Sequence, residues 1–194
     1  MKMTVVYVKD TGQVMAAVTR AALADTVPAA AADGASPEVL ALVGDSLPVR
    51  SFLNAATSIP NPTLFSIPAD QLATLTVDRD EDQLLSPRGY TVLDGKKIEV
   101  PSATPLPTPA TAGSDHSTLE VSLPADVLAN LPIALHLVPV AGTAGNPQHL
   151  QGVFRPATAS ARLVTFSLRA ALAGTYDVLI LLKGYRSGMR RLVV

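Results

Sequence analysis

Three aspartates alternate with other residues in one short acidic stretch of the chain. Asp78, Asp80 and Asp82 lie in the sequence VDRDEDQ, and this spacing of carboxylates is typical of a loop that wraps a calcium ion. Such a loop also needs glycine at its sixth position and glutamate at its twelfth, where the chain has Gln83 and Gly89. We therefore expect a solvated acidic loop, and the sequence leaves open whether Asp78–Asp82 binds a cation. No other metal site and no cofactor is predicted.

The chain has three histidines, His116, His136 and His149. None has an aspartate three positions before it, and none has a second metal ligand at a useful spacing. His136 lies in the alternating stretch Ile133–Val140. We expect it to be a half-buried histidine whose hydrogen bonds are satisfied within the fold.

A serine with a possible chemical role follows the apolar run Val39–Val43. The tetrapeptide Gly44-Asp45-Ser46-Leu47 resembles the nucleophile block of the GDSL esterase and lipase family, and the resemblance implies that Ser46 is the nucleophile. The rest of that family's pattern is missing, because the chain has no G-x-N-D for an oxyanion hole and no D-x-x-H near its C-terminus. A serine without a base is a weak nucleophile. The preferred interpretation is a tight turn, and no catalytic residue is predicted.

The triplet Asp10-Thr11-Gly12 resembles the signature of aspartic proteases, in which two copies bring two carboxylates together. The flanking residues Lys9 and Gln13 disagree with this role, because a lysine charge beside the aspartate opposes a shared proton. A hairpin turn explains the triplet without any chemistry.

The elements that must position these residues are short strands. Residues 3–18 predict a hairpin that turns at Asp10–Gly12, and Asp94-Gly95 predicts a second hairpin. The stretch EVLALVGDSLPVRSFL, residues 38–53, predicts two strands joined at Gly44–Ser46. Further strands are predicted in the segments TLFSI, ATLTV, GYTVL, KKIEV, TLEVSL, PIALHLVPV, HLQGVF, ARLVTFSL, TYDVLILL and MRRLVV. The expected fold class is all-β with few helices, and YDVLILL is expected to be a central strand buried on both faces.

Residues 101–116 are rich in proline, alanine and threonine and carry no core-forming pattern. This composition is typical of a semi-rigid linker. We therefore predict an N-terminal β domain at residues 1–100, a linker at 101–116 and a C-terminal domain at 117–194. The alternative is a long surface loop within one domain.

Part of the C-terminal domain resembles a known fold. Residues 165–184, TFSLRAALAGTYDVLILLKG, resemble the strand–corner–strand passage of immunoglobulin-like β-sandwiches in bacterial proteins. The resemblance rests on Leu172, Gly174 and Tyr176, and it implies a tyrosine corner, in which the Tyr176 hydroxyl bonds the backbone a few residues upstream. The chain has no cysteine pair and no tryptophan, so an antibody-type domain is excluded.

One ten-residue phrase occurs twice with seven identical positions, as SIPADQLATL (66–75) and SLPADVLANL (122–131). Proline cannot donate to a ladder and marks a strand end. Asp70 and Asp126 are expected to form turns through their side chains, and Leu72 and Leu128 are expected to enter a core. The phrase therefore predicts a strand-to-corner module used twice and two related β domains.

Composition and charge narrow the class of function. Hydrophobic residues make up 48% of the 194 residues and charged residues 16%, against a usual charged fraction of about 25%. There is no cysteine, no apolar run of signal-peptide or membrane-spanning length, and no nucleic-acid motif. Residues 1–100 carry a net charge of −4, whereas the last 44 residues carry +6. We expect cytoplasmic synthesis, with release from the cell as part of a particle left open, and partners that are neither nucleic acid nor membrane.

The leading functional prediction is a non-enzymatic structural or interaction subunit of a larger bacterial protein assembly, such as a phage-tail-like particle, a baseplate or a capsid-type shell. The partners would be other protein subunits, either copies of this chain or different chains. They would be bound through strand edges and the basic segment Lys183–Val194. The alternative is a β module that binds carbohydrate or peptide. The third hypothesis is a GDSL-type serine esterase that uses Ser46.

Overall fold

Strands dominate the computed structural model, which describes residues 2–19, 36–51, 63–99, 108–112, 116–123, 130–154 and 163–194. Within these ranges there are fourteen strands and two short helices, which confirms the predicted all-β class with few helices. No helix in the described ranges is both long and apolar enough to cross a bilayer. The chain divides into two compact units: Met1–Val49, Ser66–Thr104 and Lys183–Arg186 form the first, and Arg50–Phe65, Pro105–Leu182 and Ser187–Val194 form the second.

The described residues of the N-terminal half contain nine strands and α-helices. They are β1 (Lys2–Val8), β2 (Val14–Thr19), α1 (Pro37–Val43), β3 (Ser46–Arg50), β4 (Leu64–Pro68), β5 (Leu72–Asp78), α2 (Glu81–Leu85), β6 (Tyr90–Leu93) and β7 (Lys96–Glu99). β1 is the middle strand of an antiparallel sheet in the order β2-β1-β5, while β3 pairs with β4 and β6 with β7. The core of the first unit contains buried side chains from β1, β2 and β6, namely Met3, Val5, Val14, Tyr90 and Val92.

Both predicted hairpins of this half are confirmed. β1 and β2 pair across Asp10–Gly12, and β6 and β7 pair across Asp94-Gly95. Asp94 and Gly95 have φ angles of 50° and 72°, as a two-residue type I′ turn requires.

The strand predicted at EVLALV is wrong, because these residues lie in helix α1. Ser36 precedes the helix and accepts a hydrogen bond from the Val39 N–H at 3.3 Å, while Pro37 occupies the first turn. Gly44 ends the helix with φ 66°, and its N–H donates to the Leu40 carbonyl at 2.9 Å. An apolar run of this length fits a strand or a helix, and the caps decide between them.

The first copy of the repeated phrase forms the predicted strand-to-corner module. β4 ends at Pro68, residues 69–71 form a 3₁₀ turn, and Leu72 is completely buried where β5 begins. Asp70 lies exposed in this turn, and its backbone carbonyl accepts from Lys9 Nζ. In the second copy, residues 124–129, which include Asp126 and Leu128, lie outside the described residues.

The C-terminal half contains β8 (Thr108–Ala112), β9 (Thr118–Ser122), β10 (Leu131–Pro139), β11 (Gln148–Phe154), β12 (Leu163–Ser167), β13 (Thr175–Leu182) and β14 (Gly188–Val193). They form a four-stranded sheet in the order β11-β10-β13-β14 and a three-stranded sheet in the order β12-β9-β8, and neighbouring strands in both sheets pair antiparallel. β8 lies inside the range 101–116 and pairs with β9, so this range contains a strand of the second unit.

β13 is buried on both faces, as the sequence predicts. Every side chain from Tyr176 to Leu182 is buried, and β13 lies between β10 and β14. The two sheets meet at Phe166 of β12, since a Cβ atom placed on Gly152 of β11 would lie 3.0 Å from Cε1 of that ring.

The corner before β13 agrees only in part with the resemblance to immunoglobulin-like domains. Leu172 is buried with 2% exposure, as expected for a leucine beneath a corner. The Tyr176 hydroxyl does not bond the backbone a few residues upstream; instead it donates to the Ala144 carbonyl, in the loop between β10 and β11, at 3.4 Å. This contact ties the start of β13 to a loop 32 positions earlier, so the tyrosine corner is not formed in the implied way.

The turn at Gly12 leads to a stability prediction, because the backbone there approaches β6 closely. The Val92 N–H donates to the Gly12 carbonyl at 2.7 Å, and a Cβ atom at Gly12 would clash with the Val92 carbonyl oxygen. Gly95 is a matched control, since its φ of 72° is close to the 76° of Gly12 and nothing lies within 4 Å of a Cβ there.

We expect Gly95→Ala to lower the free energy of unfolding by about 1–2 kcal/mol, the cost of a left-handed backbone for a residue with a side chain. Gly12→Ala adds a steric clash, so its loss should be larger by about 1–3 kcal/mol. Urea denaturation of both variants measures the difference. Equal losses at the two glycines would contradict the close approach.

Candidate interaction surface

His136 and His149 form a stacked pair on neighbouring strands. The register of β10 and β11 places them opposite each other, and their ring centroids lie 4.2 Å apart with the planes 15° from parallel. Nearly parallel rings direct their in-plane nitrogen lone pairs along similar directions, so the pair does not converge on one metal ion. In the part of the chain that the structure describes, no cluster of three or more histidine, cysteine or acidic side chains could hold a metal.

The prediction of a half-buried, satisfied His136 is wrong on both counts. Its exposed fraction is 5%, and within the described residues Nε2 has no hydrogen-bond partner. Burial lowers the pKa of His136 to about 3, with the charge of His149 as the second cause. The ring is therefore neutral at physiological pH and acts as a core side chain.

Ser46 is the first residue of β3 and is partly buried. It belongs to the first unit, whose sequence contains no histidine, because all three histidines lie in the second unit. The fold of the first unit therefore supplies no imidazole base for this serine. The structure gives the segment a role in ending α1 and beginning β3.

The triplet Asp10–Gly12 forms the predicted hairpin turn. The Val8 N–H donates to the Gln13 carbonyl at 3.0 Å, and the Gly12 N–H donates to the Val8 carbonyl at 2.7 Å. The Asp10 side chain is exposed, whereas Thr11 is completely buried.

Two of the three aspartates in the acidic stretch form ion pairs. Lys2 Nζ lies 2.7 Å from Asp78 Oδ1, and Lys97 Nζ lies 2.7 Å from Asp80 Oδ2. The lysine hydrogen bond is the largest cause that lowers the pKa of each carboxyl group, at Asp78 and at Asp80. Asp80 also caps α2, because its Oδ1 accepts from the N–H groups of Asp82 and Gln83. These contacts engage one oxygen of Asp78 and both oxygens of Asp80.

Sequence reasoning missed a group of buried polar side chains in the first unit. Thr11, Gln83 and Thr91 are 0–1% exposed. Among the described residues, their side-chain oxygens, and the nitrogen of Gln83, make no hydrogen bond. Gln83 ends the stretch predicted to be a solvated acidic loop. Asp78 and Asp82 are exposed as predicted, but the predicted loop is wrong, because Asp78 ends β5 and Asp82 lies in α2, and Gln83 is completely buried. Only the tertiary packing reveals the group, because threonine and glutamine side chains are ordinarily exposed.

Arg191 of the basic segment Lys183–Val194 pairs with a buried carboxylate. Arg191 Nε lies 2.9 Å from Asp177 Oδ1, and its Nη2 donates to Oδ2 at 3.3 Å, which forms a two-point pair. Asp177 is 1% exposed and lies directly across from Arg191 in the β13–β14 ladder. The positive charge of Arg191 therefore compensates the buried carboxylate of Asp177 and contributes little to the attraction of an acidic partner.

The sheets of both units end in open strand edges. β11 and β14 are the outer strands of the four-stranded sheet, and β12 and β8 those of the three-stranded sheet. Four large apolar side chains are notably exposed in the described ranges: Leu64 on β4 by 55%, Leu85 on α2 by 83%, Val153 on β11 by 48% and Val193 on β14 by 72%. Three of the four lie on strands with an open edge, so these edges are the candidate surface for protein contacts.

The burial of the Asp177–Arg191 pair predicts that replacing Asp177 destabilises the fold much more than replacing an aspartate of an exposed ion pair. Asp177→Asn leaves a partly buried guanidinium without its counter-charge, and we expect a loss of about 3 kcal/mol in the free energy of unfolding. Asp78→Asn removes a slightly shorter pair, at 2.7 Å, whose two side chains are 52% and 86% exposed, so no measurable loss is expected. Thermal or urea unfolding compares the two, and equal effects would show that burial does not set the strength of the Asp177 pair.

The buried His136 predicts that stability falls in mild acid. The unfolded chain takes up a proton with a pKa of about 6.5, whereas the folded His136 stays neutral down to a pKa of about 3. The free energy of unfolding contributed by this group is therefore complete above pH 6.5 and declines as the pH falls towards 3.

His136→Phe keeps a ring against His149 and should flatten the pH dependence of the urea midpoint between about pH 7.5 and 5. His116→Asn is the control. His116 has a φ of 52°, a conformation that asparagine tolerates, so the variant removes a histidine without burying a new group. A wild-type slope in His136→Phe would contradict the role of the buried ring.

Comparison with known proteins does not add a family to this description. No protein-family model matches the chain, and no curated protein matches its sequence significantly. The function must therefore be argued from the strand edges, the buried charges and the composition of the chain itself.

Proposed function

We propose that the chain is a non-enzymatic structural or interaction subunit of a larger bacterial protein assembly, such as a phage-tail-like particle, a baseplate or a capsid-type shell. The observation that supports this proposal best is the occurrence of exposed apolar side chains on open-edged strands, at Leu64, Val153 and Val193. An open edge offers unpaired N–H and C=O groups, and an apolar side chain beside it adds area to bury.

The arrangement of β8 to β14 supports an immunoglobulin-like sandwich in the C-terminal half. If these seven strands are lettered A to G, one sheet contains A, B and E, and the other contains D, C, F and G. Constant-type immunoglobulin domains place D beside A, B and E. The present order differs by the position of that one strand, β11, which joins the sheet of β10 instead.

Two compact units support the proposal of two β modules in one chain. Their boundaries differ from the predicted division at 101–116, because Arg50–Phe65 belongs to the second unit and Lys183–Arg186 to the first. Modules of this kind recur in subunits that present several binding surfaces, although fold alone does not fix a function.

The charge distribution supports a contact with a partner of opposite sign. Residues 1–100 carry −4 and the last 44 residues carry +6, while only 16% of all residues are charged. A surface with few charges repels other protein molecules only weakly. A basic segment attracts an acidic partner and directs it to that part of the surface. We propose that the basic segment Lys183–Val194 takes part in such a contact.

Sedimentation of the native protein tests the proposal. Lysate of the source cells is separated on a sucrose gradient, and the chain is detected with an antibody. We expect most of it to sediment in particles many times heavier than the 20.1 kDa chain, and about 1 M salt to release part of it, because salt screens exposed charges.

A monomeric housekeeping enzyme of similar mass serves as the gradient control. If the chain sediments with this control at low salt, in growing cells and in the culture medium alike, the assembly proposal is wrong. An esterase assay on the same purified chain, with Ser46→Ala beside it, tests the hydrolase hypothesis independently.

A further inference from the structure

β12 is an outer strand without the usual protection against pairing. It bonds β9 on one side, and no strand in the described ranges bonds its other side. Proteins commonly blunt such an edge with charged residues or proline. β14 contains Arg190 and Arg191, and β8 contains Pro109, but Leu163–Ser167 contains neither a charge nor a proline.

The side chains on the inner face of β12 are packed within the fold, whereas those on its outer face are exposed. Phe166 is 6% exposed and packs over Gly152, while Val164 on the same face is partly buried. Thr165 and Ser167 point to the opposite face and are exposed. A strand fixed in this way presents a rigid edge, which lowers the conformational entropy lost when a partner strand binds.

We propose that β12 pairs antiparallel with β12 of a second copy of the chain, about a twofold axis at Thr165. The two three-stranded sheets would then join into one continuous sheet in the order β8-β9-β12-β12-β9-β8. This inference rests on the proposed function as an assembly subunit, and it names the first partner of that subunit.

The register that follows from this axis is self-complementary. Thr165 lies opposite Thr165 of the copy, and Val164 lies opposite Phe166 of the copy on both sides of the axis. Thr–Thr pairs and pairs of an aromatic with a β-branched residue are among the cross-strand contacts that stabilise antiparallel sheets. No charged pair faces across the ladder, so a second copy fits without any change in the strand.

The same operation on β14 is unfavourable. An antiparallel twofold pairing of GMRRLV brings Arg190 and Arg191 of one copy against the same residues of the other. Like charges directly opposite each other destabilise a ladder. β12 therefore suits self-association better than β14 does.

Thr165→Lys tests the pairing with little cost to the isolated chain. Within one copy the new lysine lies opposite Glu120 in the β9–β12 register, which gives it an opposite charge. In the pair, the two lysines face each other at the axis. Thr76→Lys is the matched control, because Thr76 is an exposed threonine on β5, an outer strand of the first unit.

Analytical ultracentrifugation of the full chain, from about 1 μM to 1 mM, measures the association. We expect a monomer–dimer equilibrium for the wild type and for Thr76→Lys, and a dissociation constant raised about tenfold or more in Thr165→Lys. Thr165→Val keeps a β-branched residue at the axis and should still dimerise, and urea unfolding of each variant verifies that the monomer is folded.

A cross-link gives a second measurement. The chain has no cysteine, so Thr165→Cys introduces a single thiol. Opposite residues in an antiparallel ladder have Cα atoms about 4.5–5.5 Å apart, within the range that a disulfide bridges. We expect Thr165→Cys to form a disulfide-linked dimer on mild oxidation, and Thr76→Cys to form it far more slowly.

The inference is overturned if the wild type remains a monomer up to 1 mM and Thr165→Cys does not cross-link. It is also overturned if dimerisation is lost in Thr76→Lys and kept in Thr165→Lys, because another surface would then be responsible. Either outcome leaves the gradient experiment on native particles to decide the proposed function. Conversely, a chain that dimerises through Thr165 but sediments alone in lysate would overturn the function and keep the pairing.

Discussion

A strand that is buried on both faces has no access to water for its backbone, and this constraint organises the second unit. The residues of β13 are buried from Tyr176 to Leu182, so the backbone N–H and C=O groups along both edges of the strand must bond to other strands. β10 and β14 provide them through two antiparallel ladders. The same burial makes Asp177 acceptable only because the register brings Arg191 directly across from it.

The open edges follow from the same arrangement. A four-stranded sheet with β13 and β10 inside leaves β11 and β14 outside, and the second sheet leaves β12 and β8 outside. Arginines on β14 and proline on β8 blunt two of these edges, and one of the arginines also neutralises Asp177. β12 and β11 have neither device, so each keeps an edge that can accept a further strand.

Much of this architecture could be predicted from periodicity, because a strand has a period of two and tight turns have distinctive residues. TYDVLILL and Asp94-Gly95 are clear examples, and both are confirmed. EVLALV was ambiguous, since its apolar run has no period and the decision lies in Ser36, Pro37 and Gly44 at its ends. The stacking of His136 on His149 and the partner of the Tyr176 hydroxyl depend on register and loop packing, which no local pattern encodes. The burial of Thr11 and Gln83 likewise arises from tertiary packing alone.

The central position of β1 in the first sheet has a consequence for how the chain folds. Its partner on one side, β2, follows after a short turn, whereas its partner on the other side, β5, lies some seventy positions away at the pairing of Met3 with Val77. A local hairpin forms in microseconds, but a distant strand must first close a long loop. During synthesis on the ribosome, β1 and β2 are therefore complete while the other edge of β1 is still unpaired, because β5 has not yet been made. The interval in which Met3 and Val5 lack their cover is the stage at which a nascent chain would most need a chaperone.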